Sequence, residues 1–309
     1  MESPKPFIIN LNKPAGVSSQ DVIRRWKPRL RGMGKIGHFG TLDPFAQGVL
    51  MLGVGGAQRL NEYIHECLPK TYLAKGILGL ETVTGDLTVD PSQQDDSEYL
   101  KEVISQFNIE FIHKRLSDKF LGDYWQSPHT YSAAKYEGKA LHKWAREGVE
   151  IKKEKKLRHI YSLEVVKFEF PHLWVRFSVS SGTYIRSLFA ECAKELGTLG
   201  VLDELIREKV GGCNLENALG DLSREETFSI MESSFLPIDQ VLDFSSLYFS
   251  GKELHLYRNG VRLQAERASR VEKGSLSSPY YWARDESQII YGLCQIVNGE
   301  IKSLVNFGL

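Results

Sequence analysis

Strand patterns and helix patterns interleave along this chain without a repeating strand–helix–strand order, and this constrains its fold more than any other feature. Leu173, Val175, Phe177 and Val179 alternate with Trp174, Arg176 and Ser178, the period of a strand with one buried face. A second strong strand is predicted from Ile160 to Phe170, and others at Phe7 to Leu11, Val49 to Leu52 and Tyr72 to Leu80. Between them lie helix signals. Ser18-x-x-Asp21 caps a short helix with Val22, Ile23 and Trp26 on one face, limited by Pro28. After a polar loop at 91–97, a helix carries Leu100, Val103, Ile104 and Phe107 on one side. Residues 138–147 read as helical, Gly182 opens a helix that Gly197 stops, and Ser223-x-x-Glu226 caps one more. The mixture predicts an α+β domain, not a doubly wound parallel sheet.

A chain of 309 residues buries a sizeable core, and this one is expected to form one large domain over 1–243 and a small one over 244–309. Composition shifts near residue 243. Beyond it, Asn259-Gly260 and Asn298-Gly299 each stand between alternating apolar runs and predict hairpin turns in a small β-rich unit. The formal net charge is zero, yet the charges are segregated. Arg24, Arg25, Lys27, Arg29, Arg31 and Lys35 form one basic run, and Lys143, Arg146, Lys152, Lys153, Lys155, Lys156 and Arg158 form another. Two such runs flanking a candidate site favour phosphate contacts. The four cysteines are scattered, with no Cys-x-x-Cys pair and no His at ligand spacing, so neither zinc nor a disulfide framework is expected. No apolar run approaches the ~20 residues of a membrane helix. A soluble, cytoplasmic protein is the expectation.

The candidate chemistry sits at Gly37-His38-Phe39-Gly40-Thr41-Leu42-Asp43-Pro44. Gly37 and Gly40 permit unusual backbone angles and Pro44 fixes φ after the Asp, so the turn aims one carboxylate. With a reference pKa of about 3.9, that carboxylate is expected to be ionised at neutral pH and able to add covalently to a substrate. Gly32-x-Gly34-x-x-Gly37 matches a dinucleotide fingerprint only formally, because a basic segment precedes it and a Pro-containing turn follows.

Several motifs occur in one order. Lys13-Pro14-Ala15-Gly16-Val17-Ser18-Ser19 is followed by the Asp43 turn with Ala46-x-Gly48-Val49-Leu50, by Lys70-Thr71-Tyr72 and by Thr82-x-Thr84-x-Asp86. Gln126-Ser127-Pro128-x-x-Tyr131-Ser132-Ala133-x-Lys135 and Gly182-Thr183-Tyr184-Ile185-Arg186 complete the set. The series resembles the tRNA pseudouridine synthase B family, which isomerises uridine 55 in the T-loop of tRNA. The resemblance implies a mixed, largely antiparallel sheet flanked by helices, with a C-terminal module similar to the PUA RNA-binding domain. It also implies a monomer acting on the T-arm stem-loop of tRNA, without metal or cofactor.

By the same resemblance Asp43 is the nucleophile, with C1′ of the ribose and C6 of the base both open as the point of attack; Tyr72 stacks on an extruded base and its hydroxyl is a candidate to accept or relay the proton leaving C5, and Arg186 pairs with the nucleophile. His38 contacts the extruded backbone or displaces a base, Tyr184 walls the pocket or belongs to the core, and Lys13 supports the nucleophile loop or contacts phosphate. Arg59 touches the RNA backbone. Leu205, in a segment matching a Leu-Arg-Arg element, packs beside the base or belongs to an ordinary helix core. Phe39, Gln47 and Ile206 depart from the family pattern and bear on substrate range. Two rivals remain at this point. A glycosidase needs a second carboxylate that the motif lacks, and a non-catalytic RNA-binding module or tRNA-folding chaperone has no need of Asp43, Tyr72 and Arg186 together.

Overall fold

The computed structural model describes residues 5–127, 135–140, 144, 147, 149, 154–220 and 234–308. The cap at Ser223, half of the helix expected over 138–147, Pro128 to Ala133 and much of the second basic run lie outside the described residues; at the start of that expected helix Lys139–Ala140 instead form a strand paired antiparallel with Lys135–Tyr136, across the left-handed Gly138.

The larger sheet is built from β1 (Phe7–Lys13), β2 (Ile36–His38), β3 (Gln47–Val54), β4 (Lys70–Leu78), β5 (Gly122–Gln126), β6 (Lys156–Glu169), β7 (His172–Val179), β8 (Gly200–Val210), β9 (Cys213–Asn214) and β10 (Phe235–Pro237). Its spatial order is β10-β1-β3-β8-β4-β7-β6-β5, with β2 added to β3 and β9 to β8. The helices are α1 (Ser19–Trp26), α2 (Asn61–Cys67), α3 (Ser97–Ile104), α4 (Ile109–Phe120), α5 (Ile185–Glu195), α6 (Ile238–Val241) and α7 (Gly251–Arg258). The fold is therefore α+β, as expected.

All ladders of this sheet are antiparallel except one. β3 and β8 run parallel where Gln47 meets Ile206 and Gly48 meets Arg207, which joins the two halves of the sheet. Gly48 has φ +112°, and a Cβ there would stand 2.3 Å from the Arg207 carbonyl oxygen. Only a residue without a side chain fits this approach. Gly48→Ala is expected to destabilise the fold by about 3 kcal/mol, read as a lower urea midpoint.

Helices cover the sheet by burying their apolar stripes. Ser18 and Asp21 form the reciprocal capping box of α1, whose Val22, Ile23 and Trp26 pack with Leu30 against Ile9, Leu11, Leu50 and Leu52. α4 and α5 place Ile112, Leu116, Phe120, Leu188 and Phe189 over Ala74, Leu173, Val175 and Phe177. α5 ends in a Schellman motif: Thr198 N–H donates to the Ala193 carbonyl at 3.0 Å, Gly197 N–H to Lys194 at 3.0 Å, and Gly197 is left-handed. α3 stops at Ile104, short of Phe107, which instead packs on the core after a turn.

The C-terminal residues form a six-stranded sheet from β11 (Ser245–Tyr248), β12 (Leu263–Gln264), β13 (Arg270–Glu272), β14 (Tyr280–Arg284), β15 (Ile290–Val297) and β16 (Glu300–Asn306). Asn298-Gly299 is the expected hairpin turn between β15 and β16, with both residues at positive φ. Asn259-Gly260 is not a hairpin. It closes α7, where Val261 N–H bonds the Leu256 carbonyl at 3.0 Å and Gly260 N–H bonds Tyr257 at 2.9 Å. A left-handed glycine serves a helix end as well as a hairpin, so the dipeptide alone does not distinguish them. Trp282, Leu293, Val305 and Phe307 of this sheet share one core with Ile8, Phe39, Val49 and Met51 of the larger one.

Candidate active site

The loop from His38 to Ala46 is fixed from several sides. Phe39 donates its N–H to the Met51 carbonyl at 2.9 Å and is fully buried. Ser19, the first residue of α1, bonds Leu42 twice, accepting from its N–H at 2.9 Å and donating to its carbonyl at 3.1 Å. Ala46 N–H closes a turn on the Asp43 carbonyl at 3.1 Å. Gly40 has φ +85°, while Gly37 lies outside the positive-φ region. Gly37 is needed for space instead, because a Cβ there would meet Gln58 Cβ at 3.0 Å.

Lys13 braces this loop from below. Its ammonium donates to the carbonyls of Val17 at 2.7 Å, Pro14 at 2.9 Å and Pro44 at 3.3 Å, and the residue is completely buried. Of its two expected roles, loop support is the one this geometry permits; no surface remains for an outside phosphate. Burial pushes its pKa down to about 8, with the Asp43 charge opposing and Arg207 reinforcing the shift.

Asp43 meets Arg186 at the edge of a cleft of about 220 Å³ lined by Tyr72, Tyr184, Leu205, His65, Lys70 and Arg207 among others. The Arg186 Nε lies 3.0 Å from Asp43 Oδ2. Its Nη1 reaches Asp86 Oδ2 at 3.1 Å and the Thr84 carbonyl at 2.7 Å. Asp86 is itself held by Thr84 Oγ1 at 3.0 Å, by the Thr88 N–H at 3.1 Å and by the Thr88 hydroxyl. The threonine-rich turn thus fixes Asp86, and Asp86 fixes the guanidinium that orients Asp43. Desolvation raises the Asp43 pKa above the ordinary carboxylate value, Arg186 opposes it, and the Asp86 charge adds to the rise. The site holds a carboxylate that is costly to ionise and a buried cation that favours ionisation.

Tyr72 stands on β4, buried, with its ring facing the cleft. Tyr184 forms the N-cap of α5, and Gln126 clamps it by accepting from its N–H at 2.8 Å and donating to its carbonyl at 3.0 Å. Leu205 lies on strand β8, which removes the helix-core reading. Strand alternation turns Leu205 and Arg207 into the cleft and Ile206 to the other face. The departure at Ile206 therefore removes nothing from the cleft, and Phe39, whose ring is in the core, lies outside it too.

Two expected residues stand apart. His38, on β2, is half-buried and does not line the cleft; its Nδ1 has no hydrogen-bond partner among the described residues, and burial lowers its pKa. Arg59 is exposed on the turn Ala57–Leu60 and donates to the Asn306 carbonyl at 2.5 Å, which ties it to the C-terminal sheet. Conversely, Lys70, His65 and Arg207 line the cleft without having been expected there. Lys70 was legible, since it shares a strand face with Tyr72 two residues on; His65 carries no sequence signal.

Arg24, Lys27, Arg31 and Lys35 of the first basic run border a groove of about 1090 Å³ beside β2. Among the described residues, no group of three His, Cys, Asp or Glu side chains is placed to hold a metal ion. No helix described is long and apolar enough to cross a membrane.

Residues 27–185 match the model of the TruB family pseudouridylate synthase, N-terminal domain. The tRNA pseudouridine synthase B of Dehalococcoides mccartyi (strain CBDB1) is 33% identical over 268 residues, covering 86% of each chain. The chain belongs to the TruB family of pseudouridylate synthases. The tRNA pseudouridine synthase B of Thermotoga maritima is 34% identical over 264 residues, or 82% of this chain and 81% of that one. Among solved structures, a chain of a Cbf5-Nop10-Gar1 complex superposes with a TM-score of 0.69 over 97% of this chain and 84% of that chain, at 19% identity. That likeness establishes the shared fold of this TruB-family chain, including the smaller C-terminal sheet.

Proposed function

We propose that the chain isomerises uridine 55 in the T-loop of tRNA to pseudouridine, with Asp43 as nucleophile. Conversion of uridine to pseudouridine in tRNA follows from its family and its curated relatives. The observation that carries it is one cleft, sized for a single nucleoside, holding Asp43 against Arg186 with Tyr72 and Leu205 as apolar walls.

The reaction breaks the N1–C1′ bond, forms a C5–C1′ bond and moves one proton from C5 to N1. It consumes no reagent and needs no redox partner. A base within a stacked loop is out of reach of Asp43, so the nucleotide must swing out before the chemistry begins. Tyr72 supplies the flat partner for the exposed ring, and Leu205 supports it from the neighbouring strand. Asp43 then adds to the nucleotide, either at C1′ with the base leaving through N1 or at C6 with the C5–C6 electron pair moving towards O4, and is expelled again by the time the C5-linked product is free; Arg186 keeps the carboxylate charged and aimed. Tyr184 closes the wall, while Lys13 holds the loop under Asp43. The groove edged by Lys27, Arg31 and Lys35 suits RNA phosphates, and residues 244–309 serve as the PUA-like RNA-binding domain.

A T-arm transcript carrying tritium at uridine C5 tests this. Release of one tritium per RNA to water is expected, and replacing uridine 55 by cytidine is expected to abolish it. Retention of the label, or release that ignores that replacement, would refute the assignment; binding without release would leave a non-catalytic RNA binder.

A further inference from the structure

Four basic side chains are buried in and beneath the cleft: Lys13, Lys70, Arg186 and Arg207, each at most 6% exposed. Two carboxylates answer them, Asp43 and Asp86, and both are engaged by Arg186. Lys13 is satisfied by three carbonyls. The remainder is a patch of positive charge at the far side of the cleft, where Lys70 and Arg207 have no carboxylate within ion-pair distance among the described residues. Arg207 donates to the carbonyls of Val49 at 2.7 Å and Gly40 at 3.0 Å. Lys70 Nζ lies 3.2 Å from His65 Nδ1, and that nitrogen also lies 3.1 Å from Ser181 Oγ. An ammonium has three donors, and this one has a single hydrogen-bond partner among the described residues. Burying such a cation without an anion is unfavourable. Accordingly burial and Arg207 push the Lys70 pKa down to about 7, and His65, next to both, down to about 4.

We propose that Lys70 and Arg207, with His65 steering the ammonium, form an anion subsite for the phosphate of the nucleotide drawn into the cleft. The assignment rests on the reading that an RNA nucleotide enters there. Lys70 and Tyr72 occupy the same face of β4 two residues apart, roughly 6.6 Å along the strand. This is comparable to the separation between a base and its own phosphate, so a ring on Tyr72 brings its phosphodiester to Lys70. Gly40 keeps the approach open, because a Cβ there would sit 2.8 Å from Lys70 Nζ. The phosphate restores the missing negative charge and fixes the sugar relative to Asp43.

The test uses the full chain and a T-arm RNA, with affinity read by fluorescence anisotropy and turnover by tritium release. Lys70→Met is expected to weaken affinity about 10-fold at 0.1 M salt. The slope of log affinity against log salt is expected to flatten by about 0.7–0.9, the signature of one lost phosphate contact. In a second arm the phosphodiester of uridine 55 is replaced by a neutral methylphosphonate, which leaves the protein intact. It should cost the wild type about 10-fold and Lys70→Met nothing further. Equal losses in both proteins, or an unchanged salt slope, overturn the subsite while leaving the isomerase reading in place. A fall in kcat with unchanged affinity also overturns it, since the cations would then serve the detached, anionic base. Failure of the wild type to bind or turn over the RNA removes the underlying reading itself.

Discussion

Asp43→Asn is expected to lower pseudouridine formation at least about 10³-fold while T-arm RNA affinity stays within a few-fold. The substitution keeps the size of the side chain and removes the charge that attacks. Its effect on stability carries a sign worth measuring. The Asp43 pKa is raised in the folded chain, so its stability contribution is full below the unfolded value near 3.8 and is lost as pH rises through the folded one. At pH 7 the wild type carries that cost and Asp43→Asn does not, so the melting temperature of the variant at pH 7 should be no lower than that of the wild type. Turnover within 10-fold of the wild type would remove Asp43 from the chemistry.

Arg186→Gln is expected to do double damage. The guanidinium spans Asp43 and Asp86, and its loss leaves two neighbouring carboxylates with only the weaker influence of Lys13 to offset their repulsion. Breaking a buried pair from one side costs about 3–5 kcal/mol, a large share of the stability of a typical domain. The Asp43 pKa should rise further, since its main opposing influence is gone. The acid limb of the pH–rate profile should therefore move to higher pH, and kcat/KM at pH 7 should fall at least about 100-fold. An acid limb that does not move would show that Arg186 does not control the ionisation of Asp43.

The pairing behind this prediction is a case where sequence and structure divide the work. Asp43 and Arg186 were each legible from a local motif, and so was the presence of an Asp in the threonine-rich turn. That Asp86 holds Arg186 from the other side was not, because the contact joins residues one hundred positions apart. Leu205 was legible as a site residue but not as part of a strand, and only its alternation with Ile206 and Arg207 shows which of the three enters the cleft. Asn259-Gly260 misled because a left-handed glycine ends helices and hairpins alike. Arg59 and His38 match motif positions, yet one reaches the C-terminal sheet and the other stays outside the cleft lining.

The amino-acid order alone settled the strands around Tyr72 and Phe177, the capping box at Ser18, the helix stop at Gly197, the α+β class and the turn that presents Asp43, since each follows from torsional preference and apolar spacing over a few residues. Tertiary structure decided which charges meet. Lys13 became a buried brace, and Lys70 and Arg207 became buried side chains with no carboxylate in ion-pair reach among the described residues, because distant strands were laid side by side and water was removed from between them. Solvation and Coulomb energies depend on distance through space and on burial, and neither quantity is written in the local sequence.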